Sequence, residues 1–281
     1  MSSRITELLG NGIEENLDPE LKRAFDFDDG KVDPKLRIPA NIRIEPNIFR
    51  VSGDGVFYTI QGEGKTMGYP TMFLRLHVCN LRCVWCDAWY TWNPNTTQFW
   101  TESRQWTVEA TKKKLEEGWG CENPTVQKRV VLTGGEPLLQ KEAVDSLMME
   151  MKDWIFEIET NGTVMPSEMQ LKFCQFNCSP KLKNSQNVEA ARKKPEVIEA
   201  LNKVDTQYKF VVMHNDDIDE IMNEWIIPYK IPMDKVILMP QGVTDGEVNK
   251  NAQQLVEYTK KKGFRLLGRL QCSIWGARRR V

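Results

Sequence analysis

The chain is 281 residues long, with 38 Lys and Arg against 39 Asp and Glu and a net charge of −1. That balance supplies no basic field for nucleic acid or an acidic membrane surface and favours a small-molecule substrate. Seven cysteines, an odd number, and an opening MSSRITELLGNG with no basic region before an apolar run argue against a disulfide framework and a signal peptide. No segment nears the roughly 20 apolar residues of a membrane span.

Residues 1–45 are polar and broken by Pro19, Pro34 and Pro39, with only ITELL and PELKRAF suggesting short helices. They are expected to form a mostly irregular extension to a core domain of residues 46–281. The acidic FDFDDGKVD lacks the oxygen order and closing Glu of an EF-hand loop and reads as a solvated turn.

From residue 55 strand-like and helix-like runs alternate: GVFYTI, TMFLRLHV, a helix over 107–117, RVVLT, a helix over 138–152, then WIFEIE. A helix over 187–203, QYKFVV, a helix over 216–226, KVILM, a helix over 247–262 and FRLLGRL follow. The repeated order predicts an α/β fold with a parallel sheet and crossover helices, and an active site at the C-terminal ends of its strands. The two triple-lysine runs, Lys112 to Lys114 and Lys260 to Lys262, fall in predicted helices and read as solvated faces.

Three cysteines lie within eight residues, Cys79, Cys83 and Cys86, in HVCNLRCVWCDAWYTW. A structural zinc site or an electron-transfer cluster takes four protein ligands, whereas three thiolates on a four-iron cluster leave one iron free. The spacing resembles that of the radical S-adenosylmethionine (SAM) enzymes. The alternative is a zinc site completed by His77 or a distant cysteine. Trp85, Trp89 and Trp92 crowd the loop, either to shield a cluster and stack on an adenine ring or as plain core packing.

About 50 residues later comes VVLTGGEPLL, an apolar run ending in Thr133, Gly134, Gly135, Glu136 and Pro137. The glycines let backbone approach a ligand, and Pro137 suits a first helical turn, where its missing N–H costs nothing. A tight strand-to-helix turn needs the same residues, but the segment resembles the one that binds the SAM amino group in radical SAM enzymes. A zinc site has no use for it.

In GVFYTIQGEGKTMGYPTMFLRLHVC a strand ends in Gln61, Gly62, Glu63 and Gly64, and the next runs into Cys79. On that strand Phe73, Arg75 and His77 share one face by the period-two rule, opposite Met72, Leu74 and Leu76. Arg75 suits bidentate pairing with a substrate carboxylate. Glu63 suits the N–H donors of a 2-aminopyrimidinone ring, with Gln61 beside it. An internal salt bridge for Arg75, a plain hairpin for QGEG and a core role for His77 are the structural alternatives.

With these motifs, the ETNGT of residues 159–163, the Ser179-Pro180-Lys181 run and the closing IWGARRRV, residues 48–281 resemble the 7-carboxy-7-deazaguanine synthases, radical SAM enzymes of the queuosine and 7-deazaguanine pathway. The resemblance implies a partial (βα)6-type barrel and a 4Fe-4S cluster on Cys79, Cys83 and Cys86. It implies substrate contacts from Ile60, Gln61, Gly62, Glu63, Arg75 and Thr133. SAM would be held by Gly134, Gly135, Glu136 and Glu159, by Ser179, Pro180 and Lys181, and by the stretch Leu238, Met239, Pro240 and Gln241.

Departures accompany the likeness. Relatives commonly place Thr after the Asp that follows the third cysteine, where its hydroxyl helps bind Mg²⁺; here Asp87 is followed by Ala88, which cannot ligate, leaving Asp87, water and substrate. Gln271 stands where many relatives have His, Arg280 replaces a common Gly, and the N-terminal extension is mostly lacking elsewhere. The terminal carboxylate of Val281 is expected near the active site.

The implied reaction begins when an external donor such as flavodoxin or ferredoxin reduces the cluster and SAM yields a 5′-deoxyadenosyl radical. Ring contraction of 6-carboxy-5,6,7,8-tetrahydropterin with loss of ammonia then gives 7-carboxy-7-deazaguanine. A cytoplasmic setting and a homodimer are the accompanying expectations. The alternatives are another radical SAM reaction, such as glycyl-radical activation, and a non-catalytic metal-binding protein.

Overall fold

The computed structural model describes residues 42–278. The expectations for ITELL, PELKRAF, FDFDDGKVD and Val281 fall outside the described residues. Nine strands form one sheet: β1 Ile48–Ile60, β2 Pro70–Leu76, β3 Ser103–Thr107, β4 Arg129–Gly134, β5 Ile155–Thr160, β6 Gln175–Cys178, β7 Thr206–Val212, β8 Val236–Pro240 and β9 Arg265–Leu266. Their spatial order is β3-β1-β2-β4-β5-β6-β7-β8-β9. Along β2-β4-β5-β6-β7-β8-β9 every pairing is parallel, and from β4 onward each strand lies beside the next in sequence, while β1 runs antiparallel to both β2 and β3. Among the described residues the ends of the sheet do not pair with each other.

The α-helices of four or more residues are α1 Thr97–Thr101, α2 Val108–Gly118, α3 Lys141–Glu150, α4 Glu168–Phe173, α5 Glu189–Arg192, α6 Pro195–Asn202, α7 Asn215–Glu220, α8 Asp245–Lys262 and α9 Leu270–Trp275. Among the described residues no helix is long and apolar enough to cross a membrane. The expected 187–203 helix is two short ones, because Pro195 disfavours helical geometry in the residue before it and opens α6 at its first position. The expected 216–226 helix passes from α7 into a π-helical stretch, Ile221–Ile226. FRLLGRL yields only the two residues of β9, and Leu270 opens α9.

Period two divides the strands between two environments. Met72, Leu74, Val130, Leu132, Phe156 and Ile158 point to the helices and sit in one apolar cluster, joined by Phe176, Tyr208, Phe210 and Leu238 from the later strands. Burying each such side chain stabilises the fold by about 1.5–3 kcal/mol. The opposite face carries Arg75, Thr133, Glu159 and Lys209 and faces the cavity described next. A buried parallel strand ordinarily reads as apolar on both faces; here the inner face is polar, and that asymmetry makes a site.

Candidate active site

A cavity of about 350 Å³ lies inside the curve of the sheet. The cysteine loop closes it at the C-terminal end of β2. The β1–β2 connection enters from the other end, since Ile60 pairs with Pro70 at the start of β2. QGEG is therefore a hairpin connection, as its structural alternative held, and its Gln61, Gly62 and Glu63 also line the cavity.

The turn into the cysteine loop is held open by backbone. Val78 has φ of 78°, an unfavourable region for a β-branched residue. Its amide donates to Thr91 O at 2.9 Å, and its carbonyl accepts from Glu136 N at 2.9 Å. The chain so redirected brings Cys79, Cys83 and Cys86 to the cavity wall. Gly134, at φ 120°, and Gly135 pass directly under this turn. A Cβ on Gly135 would lie 1.9 Å from Val78 O, and one on Gly134 2.0 Å from Leu76 O. Both glycines are required by close backbone packing whatever they bind.

Burial pushes the Cys79 thiol up to about 12 and raises Cys83 and Cys86 as well. One buried and two part-buried thiols that resist ionisation suit a group whose own positive charge draws them into the thiolate form. Amide donors already face two of them: Asn187 Nδ2 lies 3.3 Å from Cys83 Sγ and Asn161 Nδ2 3.9 Å from Cys79 Sγ. Trp89 and Trp92 pack with Ala88 and Tyr90 around Cys86, while Lys181 lies over the Trp85 ring. The donor set fits a cluster held by three thiolates. His77, the candidate fourth zinc ligand, does not line the cavity; it is fully buried against the Phe99 ring, just beyond the end of β2. Among the described residues no three Cys, His, Asp or Glu side chains converge as a single ion requires.

The expected substrate-facing residues Ile60, Gln61, Gly62, Glu63, Arg75 and Thr133 all line the cavity. Gly134, Gly135, Glu159, Ser179 and Lys181 do so too, with Met239, Pro240 and Gln241. Glu136, Pro180 and Leu238 lie behind the wall. Glu136 is fully buried, and its carboxylate accepts from Leu138 N at 3.0 Å, Thr160 Oγ1 at 2.9 Å and Asn161 N at 2.7 Å. It ties the end of β4 to the ETNGT turn. Leu238 belongs to the apolar core.

A charged chain crosses the cavity floor, and several of its members escaped the sequence reading. Lys209 bonds Glu63 Oε2 at 2.9 Å and also Glu159. Arg269 Nε bonds Glu63 Oε1 at 2.9 Å, Arg269 Nη2 bonds Asp87 Oδ2 at 2.5 Å, and Gln271 Nε2 donates to Glu63 at 2.7 Å. Gln61 donates to Glu157 and Glu159, and Glu157 is anchored by Arg129 at 3.1 Å. Burial pushes the Glu63 carboxyl up, but Lys209 and Arg269 outweigh it and hold it well below the usual range. The same contest leaves Lys209 above its ordinary value, its two carboxylates overcoming burial. Asp87 is likewise held low by Arg269 against burial. The sequence signal for Lys209 and Glu157 was a charge in mid-strand of an otherwise apolar run, in QYKFVV and WIFEIE.

Arg75 differs from these. Its guanidinium carbon lies 5.6 Å from the centroid of the Phe57 ring, and its buried Nε has no hydrogen-bond partner among the described residues. A buried donor left unpaired costs about 1–3 kcal/mol. Among the described residues the internal salt bridge considered for Arg75 is not formed; its orphan N–H awaits a ligand acceptor. A magnesium ion, by contrast, meets a poor donor set. Asp87 is already bound to Arg269, and Ala88 presents a methyl group.

Comparison with known proteins agrees with this geometry. The family model of the radical SAM superfamily matches residues 74–173. The 7-carboxy-7-deazaguanine synthase of Pyrobaculum aerophilum is 31% identical over 225 residues, 79% of this chain and 93% of that protein. That of Halobacterium salinarum is 30% identical over 243 residues, 78% of this chain and 88% of that protein. The crystal structure of QueE from Escherichia coli shares the fold, with a TM-score of 0.58 and 23% identity over 79% of this chain and 94% of that one.

Proposed function

Because the chain belongs to the 7-carboxy-7-deazaguanine synthase family, within the radical SAM superfamily, we propose that its cavity binds 6-carboxy-5,6,7,8-tetrahydropterin and contracts it to 7-carboxy-7-deazaguanine with loss of ammonia. Membership makes it a radical SAM enzyme with a 4Fe-4S cluster and SAM as cofactors. When bound, these supply one-electron chemistry that abstracts hydrogen from a substrate. The protein's part is orientation and exclusion of water.

The observation that carries the reading is Arg75, part-buried with a buried, unpaired Nε on the same wall as Gln61 and Glu63. A carboxylated pterin offers an anion to Arg75 and ring N–H donors to Glu63, whose carboxylate Lys209 and Arg269 keep ionised and therefore acceptor-only. Thr133, opposite Arg75 in the β2–β4 register, supplies a hydroxyl beside the same anion. Gly134, Gly135, Ser179, Lys181 and the segment Met239 to Gln241 would hold SAM on the cysteine side, with Glu136, Pro180 and Leu238 supporting them from behind. An activase of protein radicals would need a mouth for a protein loop and gains nothing from a floor of paired carboxylates.

The division into residues 1–45 and 46–281, a flavodoxin- or ferredoxin-type donor, a cytoplasmic setting and a homodimer belong to the same proposal. The decisive experiment incubates the anaerobically reconstituted protein with SAM, a reductant and the carboxytetrahydropterin and looks for 7-carboxy-7-deazaguanine by mass. Product is expected. SAM cleavage without product would return the chain to the wider superfamily, and failure to bind about four irons would remove the enzyme reading.

A further inference from the structure

Arg269 has an arrangement that the family resemblance does not explain. Its guanidinium joins three acceptors: Glu63 Oε1 at 2.9 Å through Nε, Gly242 O at 2.7 Å through Nη1 and Asp87 Oδ2 at 2.5 Å through Nη2. Arginine has five N–H donors in a fixed fork, so two remain. Arg269 lines the same cavity as Arg75. The position beside it that would have to complete a magnesium shell is Ala88, whose methyl is buried. An ion placed on Asp87 would share that carboxylate with a guanidinium already bonded to Oδ2 and would stand beside its positive charge.

We infer that in this chain Arg269 takes the place of a divalent cation, so that the substrate carboxylate is met by the two guanidiniums of Arg75 and Arg269 and turnover needs no Mg²⁺. Asp87 and Glu63 are then the holders of Arg269 rather than ligands of a metal. Two planar guanidiniums suit a carboxylate because each offers paired N–H groups at its spacing. Mg²⁺ would instead keep most of its water and need an open oxygen shell, which Ala88 does not supply. This inference rests on the carboxylated-pterin reading for its substrate, but not for its metal.

Three measurements on the reconstituted holoenzyme test it. Rates after chelator treatment and after addition of Mg²⁺ are expected to be equal. Mn²⁺, followed by electron paramagnetic resonance, is expected to show no bound signal that Mg²⁺ displaces. In equilibrium dialysis, Arg269→Gln is expected to weaken the carboxylated pterin by about ten- to a hundred-fold, the loss of a charged hydrogen bond, while a pterin lacking the carboxylate binds unchanged. Arg269→Lys should recover part of the loss, and iron content and denaturation midpoint establish that each variant is folded. The double variant Ala88→Thr with Arg269→Gln should gain displaceable Mn²⁺ binding. Stimulation of the wild type by Mg²⁺, a displaceable Mn²⁺ signal in it, or equal weakening of both pterins by Arg269→Gln would overturn the inference. If instead the wild type consumes neither pterin while cleaving SAM, the substrate reading fails, and the Mn²⁺ measurement still decides the metal question.

Discussion

Replacing Gly135 by alanine adds one methyl group where two backbone segments cross closely. That carbon would stand 1.9 Å from Val78 O, 2.4 Å from Val78 C and 2.9 Å from Cys79 N. All three are backbone atoms, so no rotamer change relieves the overlap. Restoring a contact of 3.4 Å requires the two segments to part by about 1.5 Å. Overpacking of this kind costs about 1–3 kcal/mol. The parting also strains the bonds from Gly135 N to Leu76 O at 3.1 Å and from Glu136 N to Val78 O at 2.9 Å, each worth about 1 kcal/mol. The expected loss is about 3–5 kcal/mol of stability, with Cys79 carried away from its two companions. Denaturant titration of the apoprotein reads the first quantity, and iron per chain after reconstitution reads the second. A Gly135→Ala protein with wild-type midpoint and full iron loading would refute the claim that this glycine is dictated by the cysteine turn.

Burial of Lys209 between Glu63 and Glu159 predicts that Lys209→Met, which leaves Glu159 without its cation and Glu63 with Arg269 alone, destabilises the protein by about 3–5 kcal/mol in denaturant titration; a neutral result would show that water enters the floor. His77 is held down to about 4 by burial, aided by Arg50, from an ordinary value of 6.5. Below pH 6.5 the unfolded chain therefore takes up a proton that the native state refuses, so stability falls as pH drops from about 6.5 to about 4, by roughly 3 kcal/mol. His77→Gln should remove that component of the pH slope, and an unchanged slope would contradict it. Asn187 donates to Cys83 Sγ at 3.3 Å, and donors to cluster sulfur favour the reduced state. Asn187→Ala is thus expected to lower the cluster's reduction potential in a spectroscopically monitored titration, and a rise would rule out the hydrogen bond as its cause.

The alternation in TMFLRLHV was readable because one face meets the core and the other a cavity, and the structure places Leu74 and Arg75 accordingly. His77 breaks the pattern because the strand ends at Leu76 and the positive φ of Val78 follows. β6 escaped because QFNC is only four residues with a polar inner position, Asn177, whose amide serves Glu159 at 3.0 Å. β3 was missed for a related reason: SRQWT lies at the sheet's edge, half exposed, and pairs antiparallel with β1 in place of the β–α repeat. Motifs whose chemistry is local, the cysteines and TGGEP, were legible. The salt-bridged floor was not, since Glu63, Lys209 and Arg269 come from distant parts of the chain and no spacing rule joins them.

The bond from Arg269 to Glu63 spans 206 residues, and Leu270 N closes on Gly62 O at 3.0 Å nearby. Closing so long a loop is slow and comes after local structure has formed. During synthesis the cysteine turn and its supporting glycines are complete while the segment carrying Arg269 is still to be made. The nascent protein thus passes through a stage with a formed thiol cradle and a missing side wall. The last part of the chain to be made then adds the wall that Arg269, Gln271 and Cys272 form beside the cavity.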